Sequence, residues 1–477
     1  MTSLRPRDPY NPTELAELYP NQLQLQQVQV LLRHGERTPV SARFQAAGLP
    51  SDWPCCEAAK RMRSTVLSTD KSWDTLHWGR QIETFGPGDK PVACKGPSGE
   101  TESICLPGEL TDLGRATTLA LGQRIRHLYV DQLGFLPDSL DSASAIRLRA
   151  TPIQRALESV QQAFIGLYPP AKRLPGVDPP TVVTRTHPQE TLFPNEANCK
   201  RFGQLAAGYA ERAATIWNDS PELAYVNKRI GKWMPKESPV AKVDSHPRLS
   251  GIMDSINASR AHGAPTLLPR EFYDDQLLAN VDKICVDEWF AGYAESTEYR
   301  KLGIGSMVGD LAQRMVERAL DQPSFKMSLA GCHDTTLAAT LASLGGFDPK
   351  RDSWPKFTSS IAFELFRHQD ARPRPKSWFS VFSSELDTRR PVSDMSAAER
   401  QRLDGHYVRL RYNDRPVILP HCARPENHFA NDPAICTLTA FKQIVDSFTP
   451  ADWSAECRSS LGQPTLKGEV EHPLGVA

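Results

Sequence analysis

The sequence predicts an α/β protein: a three-layer α/β/α core on a largely parallel central sheet, with a helical cap domain inserted into it. Three observations carry that expectation. Three short apolar runs, far apart in the chain, are each followed by a polar cluster and then by a helical period. Strands that alternate with helices pair most readily in parallel, because the intervening helix covers a sheet face on its way back. Between 191 and 320 the strand-like runs thin out and helical segments rich in aromatics take over.

The first run is VQVLL at 28–32, which leads into Arg33-His34-Gly35-Glu36-Arg37-Thr38-Pro39. The second lies at 145–151, where Ile146, Leu148 and Ala150 alternate with Arg147 and Arg149. After Pro152 a helix is expected over 153–168, with Ile153, Leu157, Val160 and Phe164 on one face. The third, FKMSLA at 325–330, precedes Gly331-Cys332-His333-Asp334-Thr335-Thr336. A helix is expected from Leu337, with Thr335 or Thr336 as its N-cap. The core is thus placed at 24–190 and 321–450, with a small insert at about 51–104. The cap is placed at 191–320, broken by prolines and glycines near 234–266, and terminal extensions at 1–23 and 451–477.

Bulk properties narrow the partners. Lys plus Arg and Asp plus Glu each total 56, so no basic excess recommends nucleic acid or an anionic membrane. No apolar run approaches the length of a transmembrane helix. The N-terminus lacks the apolar core of a secretory signal, which gives a cytoplasmic expectation. Ten cysteines without a CxxC pair are then read mostly as free thiols, with Cys422 and Cys436 the first pair to test for a bridge. His246, His262, His421 and His428 have no ligand spacing, so neither a metal nor a cofactor is expected.

The chemistry concentrates where strands end, because ligands of open α/β sheets sit beyond the carboxyl ends of the strands. His34 stands between Arg33 and Arg37 at such an end. Two cations keep an imidazole neutral, and a neutral imidazole is a nucleophile. Two guanidinium forks suit a tetrahedral oxyanion, and phosphate offers them more oxygens than carboxylate. Gly35 is expected to leave room for the ligand. An Arg-His pair alone is most simply a surface feature; R-H-G-x-R-x-P fixes five positions, which chance rarely supplies.

The segment LLRHGERTP resembles the signature of the histidine acid phosphatases, branch two of the histidine phosphatase superfamily. The resemblance continues through GELTDLG (108–114), LRATPIQR (148–155), GCHDTT (331–336), AFEL (362–365) and VRLRYND (408–414). Within the family, LESVQQAFIGLYP and ETLFPNEANC look closest to lysophosphatidic acid phosphatases. It implies that His34 becomes phosphorylated, that Arg33, Arg37 and Arg149 hold phosphate oxygens with His333, and that Asp334 is the proton donor. Pro152 stands where many members carry Asp or Asn, which puts the pocket floor in doubt.

The implied activity is that of an acid phosphomonoesterase acting without a metal on a small-molecule or lipid phosphate monoester. Its optimum is acidic, since Asp334 must carry a proton. A phytase-type enzyme is the alternative within this chemistry. It should need a strongly basic cap, whereas acidic and basic residues are nearly balanced here. A non-catalytic phosphate- or lipid-binding protein would lose a key residue, and none is lost. A mutase would need a shielded intermediate. Arg155 is read as a helix surface charge or a support, Glu36 as an ion-pair partner, and Glu364 as a residue that orients an arginine.

Overall fold

A computed structural model describes residues 3–322, 324–370 and 387–476. Nine strands form the main sheet: β1 Leu23–Arg33, β2 Ile146–Ala150, β3 Val182–Val183, β4 Met327–Cys332, β5 Ser360–His368, β6 His406–Tyr412, β7 Arg415–Val417, β8 His428–Phe429 and β9 Asp432–Thr437. Their order is β8-β9-β6-β5-β1-β4-β2-β3, with β7 against β6. The pairs β1–β4, β4–β2 and β2–β3 are parallel, whereas β5, β6 and β9 add antiparallel pairs on the other side of β1. The fold is mixed α/β, and it is parallel where the three polar clusters end up side by side.

Both sheet faces are covered. Val28, Val30 and Leu32 of β1 pack with Leu121 and Phe164, which lie on helices α1 (Asp112–Arg126) and α2 (Gln154–Leu167). Leu31 faces the other way, into a cluster with Phe202, Met307, Leu337 and Phe363. This alternation is what a strand buried on both faces requires. Two glutamines of β1 donate inside the protein: Gln29 to the Leu311 carbonyl at 3.0 Å and Gln27 to Ser324 at 2.9 Å.

Residues between β3 and β4 are helical. They include α3 (Lys200–Trp217), α4 (Leu249–His262) and α5 (Asp275–Glu295). Phe202 and Tyr293 share a core with the sheet, while Phe272, Leu249 and Ile284 belong to a cluster with Phe44 and Trp53. Helix α4 falls inside the stretch expected to be broken by prolines and glycines. Pro247 precedes the helix and Pro265 follows it, and the residues between carry a full apolar face of Leu249, Ile252, Met253 and Ile256.

Helix α6 (Asp334–Ser343) starts earlier than the sequence suggested, with His333 as N-cap. Thr336 is not the cap itself: its hydroxyl accepts the His333 backbone N–H at 3.4 Å, the reciprocal role of a capping box.

The thiol expectation is corrected. Cys422–Cys436 is bridged, and so are Cys56–Cys105 and Cys199–Cys457, leaving Cys55, Cys94, Cys285 and Cys332 free. The third bridge spans 258 residues of sequence, a pairing that cysteine spacing cannot reveal. It staples the C-terminal extension to α3, where Arg201 also donates to the Gln463 and Pro464 carbonyls.

Gly35 is needed for backbone contact. A Cβ there would stand 2.3 Å from the Gly114 carbonyl oxygen, so the glycine admits the start of α1 and not a ligand. Gly35→Ala is expected to cost about 2–3 kcal/mol of stability, the upper range for forcing extra atoms into a packed interior. A urea titration checks it, and a midpoint equal to that of the wild type would contradict the close crossing.

Candidate active site

The sheet register assembles the site. Arg33 of β1 lies opposite Cys332 of β4, and Ala150 of β2 lies opposite Gly331. The residues that follow therefore leave three adjacent strand ends together. The His34 N–H bonds the Cys332 carbonyl at 3.0 Å and the Thr151 N–H bonds the Gly331 carbonyl at 3.2 Å.

His34 is buried, with its Nδ1 2.8 Å from the Gly35 carbonyl. A carbonyl only accepts, so Nδ1 carries the proton and Nε2 keeps its lone pair. Burial pushes the imidazole well below its usual basicity, and Arg155, Arg33, Arg37 and His333 push it further down. The His333 ring lies 5.5 Å away, centroid to centroid, and its Nε2 meets the Thr151 hydroxyl at 3.1 Å. His333 is also held neutral, by burial first and then by Arg155.

Asp334 accepts from Arg33 at 2.7 Å and from the Trp354 indole at 2.9 Å. Burial pushes its carboxyl up, but Arg33, the indole, Arg37 and His333 together pull it below the ordinary value. The N-terminal position on α6 acts in the same direction. Arg33 also donates to the Pro355 carbonyl and stacks on Phe357 at 4.1 Å. Arg37 donates to the Thr38 carbonyl at 3.0 Å and pairs with Asp254 of α4 at 2.7 Å.

Arg149 is placed differently from the family-based expectation. Its guanidinium closes on Glu190 at 2.6 Å, and that carboxylate also accepts the Thr191 and Leu192 N–H groups. The charges that act on Arg149 are Glu190, Arg185, Asp310 and Arg147, a different neighbourhood from that of His34. The third guanidinium near His34 belongs to Arg155, near the start of α2. Burial brings it down to about 10, with Arg37 adding to the effect. No ion pair or hydrogen bond is made by its side chain among the described residues. A sequence signal was present: a cation in the first turn of a helix runs against the helix dipole and calls for an anion to explain it.

Glu36 makes no ion pair among the described residues; the Thr117 hydroxyl donates to it at 2.5 Å. A cleft of about 580 Å³ opens over the site, lined by Arg33, Arg37, Asp254, Asp334, Trp354 and Phe357. Arg33, Met253, Asn257, Trp354 and Phe357 also border a second arm of about 470 Å³. Among the described residues, no group of three or more His, Cys, Asp or Glu is arranged to hold a metal ion. Nor is any helix there long and apolar enough to cross a membrane.

A buried neutral histidine, clustered guanidinium groups and a carboxylate at a helix start thus share one pocket at the strand ends, suited to an anion. Residues 24–413 match the histidine phosphatase superfamily, branch 2. The chain belongs to that family, and its class is histidine acid phosphatase, a phosphoric monoester hydrolase. A probable acid phosphatase of Schizosaccharomyces pombe is 38% identical over 453 residues, covering 92% of this chain and 95% of the relative. A bovine (Bos taurus) lysophosphatidic acid phosphatase type 6 is 25% identical over 369 residues, covering 75% of this chain and 77% of the relative. The fold is also that of a Hafnia alvei phytase solved with tartrate, with TM-score 0.55, 15% identity, and coverage of 92% and 99% of the two chains.

Proposed function

We propose that His34 is the nucleophile of this phosphatase and that Arg33, Arg37, Arg155 and His333 hold the phosphate while Asp334 supplies the proton. The observation that carries this reading is shared by three guanidinium groups. The Nε atoms of Arg33, Arg37 and Arg155 are all buried without a partner, and these three guanidinium groups act on the His34 imidazole. Arg149 also keeps an unpartnered Nη1 but does not act on it. Buried donors left unpaired are costly unless a ligand completes them. A phosphate dianion completes all three.

Nε2 of His34 attacks phosphorus in line as the ester bond breaks. The guanidinium groups are already oriented toward the charge that develops on the equatorial oxygens. Asp334 passes its proton to the leaving oxygen, then takes one from the water that opens the phosphohistidine. The helices at 191–320 act as the cap over this pocket, with α4 as the element that reaches down to it.

A lysophosphatidate-like monoester is the first substrate reading, supported by the bovine relative and by Met253, Ile256 and Phe357 on the cleft wall. One observation favours the phytase-type alternative. Arg260 of the cap and Lys350 and Lys356 of the core segment line the second arm with no ion-pair partner among the described residues, beside the carboxylates of Asp282 and Asp352. The three disulfides favour an oxidising compartment over the cytoplasm.

The test is phosphate release from p-nitrophenyl phosphate, lysophosphatidate and phytate by wild type, Arg155→Ala and Arg149→Ala. Arg155→Ala is expected to lower kcat/KM for every substrate by about 10²-fold or more, as loss of a charge-assisted phosphate contact does. Arg149→Ala is expected to act mainly on stability, since Glu190 would be left buried and unpaired. The opposite ranking would return the third phosphate contact to Arg149.

A further inference from the structure

Among the described residues, Asp254 is the cap-helix carboxylate that pairs with an arginine of the pocket. It is presented by α4, has a side chain only 13% exposed, and is held from both sides. Oδ1 pairs with Arg37 Nη1 at 2.7 Å, and Oδ2 accepts the Val40 N–H at 3.0 Å. Arg43 approaches Oδ2 at 3.6 Å, and its guanidinium packs over Gly251 one turn back on α4. Because Arg37 Nη1 is taken by Asp254 and Thr38, the unpartnered Nε side of the fork is the side left for an anion. The carboxylate thus sets the direction in which Arg37 points.

We propose that Asp254 is the counter-charge of the phosphate pocket, a positioning residue that pins Arg37 and offsets its field on Asp334, so that the proton donor keeps its proton when a phosphate dianion is bound. This rests on the phosphatase reading above and adds to it a role for the cap in setting the pH range of turnover.

The charge balance carries the argument. The groups facing Asp334 are Arg33 and Arg37 from the β1 end, Arg155 from α2, and neighbouring His333, with the Trp354 indole as a neutral donor. Asp282 lies behind Trp354 and accepts its backbone N–H. The groups facing Asp254 are Arg37 and Arg43, with Arg33 and Arg155 farther off; His246 and Arg248 border the same cleft, and Arg248 is occupied by Glu288. Glu36 acts on Arg33 from behind the pocket. Both imidazoles are neutral for the reasons given above. With a dianion bound, three guanidinium groups face the phosphate, Asp254 and Asp334. Arg43 and Glu36 offset each other, so with the Asp254 carboxylate paired to Arg37 the charge closes to neutrality only when Asp334 is protonated. If Asp254 carried no charge, neutrality would be reached with Asp334 ionised, which is the form unable to give a proton. Arg37 is already among the charges that pull Asp334 down in the empty site. Removing the carboxylate that neutralises Arg37 therefore deepens that pull.

The experiment is the pH dependence of kcat on p-nitrophenyl phosphate for wild type, Asp254→Asn and Asp254→Glu. Asn loses the charge and keeps one acceptor oxygen, so it serves either Arg37 or the Val40 N–H and turns its NH2 toward the other. The alkaline limb of Asp254→Asn is expected to move to lower pH by about half a unit to one unit, the scale of one nearby charge in a partly screened site. Its low-pH plateau is expected to fall as well, because Arg37 is held less firmly, so the position of the limb is the deciding readout; Asp254→Glu keeps the wild-type limb. A merely structural role would lower the plateau or raise KM and leave the limb where it was, and that outcome overturns the proposal. Should Asp254→Asn fail to fold, Arg43→Gln carries the test with Asp254 intact: losing the competing cation is expected to move the limb to higher pH, and an unmoved limb contradicts it. No turnover in the wild type would remove the phosphatase reading itself, whereas superimposable limbs remove only the role of Asp254.

Discussion

Replacing His34 with alanine is expected to lower kcat by about four to six orders of magnitude, the scale seen when a hydrolase loses the atom that forms its covalent intermediate. The residual rate would come from the arginines, which still bind the ester and favour attack by water. Phosphate binding should weaken far less than turnover, because the Nε donors of Arg33, Arg37 and Arg155 remain in place. Phosphate release measured beside phosphate affinity separates the two effects. A variant that retains more than about a hundredth of wild-type kcat would mean that water attacks phosphorus directly, and His34 would then be a binding residue.

The largest effect on stability is expected far from the chemistry, at Glu364. This carboxylate is fully buried on β5, with Arg409 at 2.7 Å, Arg411 at 3.3 Å, and the hydroxyls of Tyr19 and Tyr129 at 2.6 and 2.7 Å. Glu364→Ala leaves Arg409 without a counter-ion inside the protein and Arg411 with only Asp414 at 3.8 Å, which costs about 3–5 kcal/mol. Chemical denaturation at neutral pH reads it. The same network gives the fold an acid limit. Burial raises the Glu364 carboxyl, but Arg409, Arg411 and the two tyrosines bring it from 4.5 down to about 2. A depressed carboxylate stabilises the fold above its unfolded value and loses that contribution as pH falls through the folded one. Stability should therefore decline from about pH 4.5 toward pH 2, and Glu364→Gln should flatten that slope. An unchanged slope would assign acid unfolding to other carboxylates.

The fold class and most of the site were legible in the sequence because both depend on local pattern. An apolar run, a polar cluster and a helical period repeat three times, and the register of β1, β4 and β2 then brings Arg33, Arg37, His34, His333 and Asp334 together. What escaped was decided by side-chain direction and long-range contact. Arg147 and Arg149 alternate with the apolar residues of β2, so Arg149 projects from the sheet toward Glu190, some forty residues later in the chain. Arg155 reaches the pocket only because α2 begins directly after β2. Gly35 was assigned to the ligand because the crossing with Gly114 joins segments eighty residues apart. The disulfides and Asp254 escaped for the same reason, since each pairs residues that no local spacing connects.

A phosphoryl group carried on His34 is the intermediate that this chemistry requires. Wild-type enzyme mixed with radiolabelled p-nitrophenyl phosphate at acidic pH and quenched in base should retain base-stable, acid-labile label, and peptide mapping should place it on the segment containing His34. Label that is absent throughout turnover, or that maps to another residue, would rule out a phosphohistidine at His34.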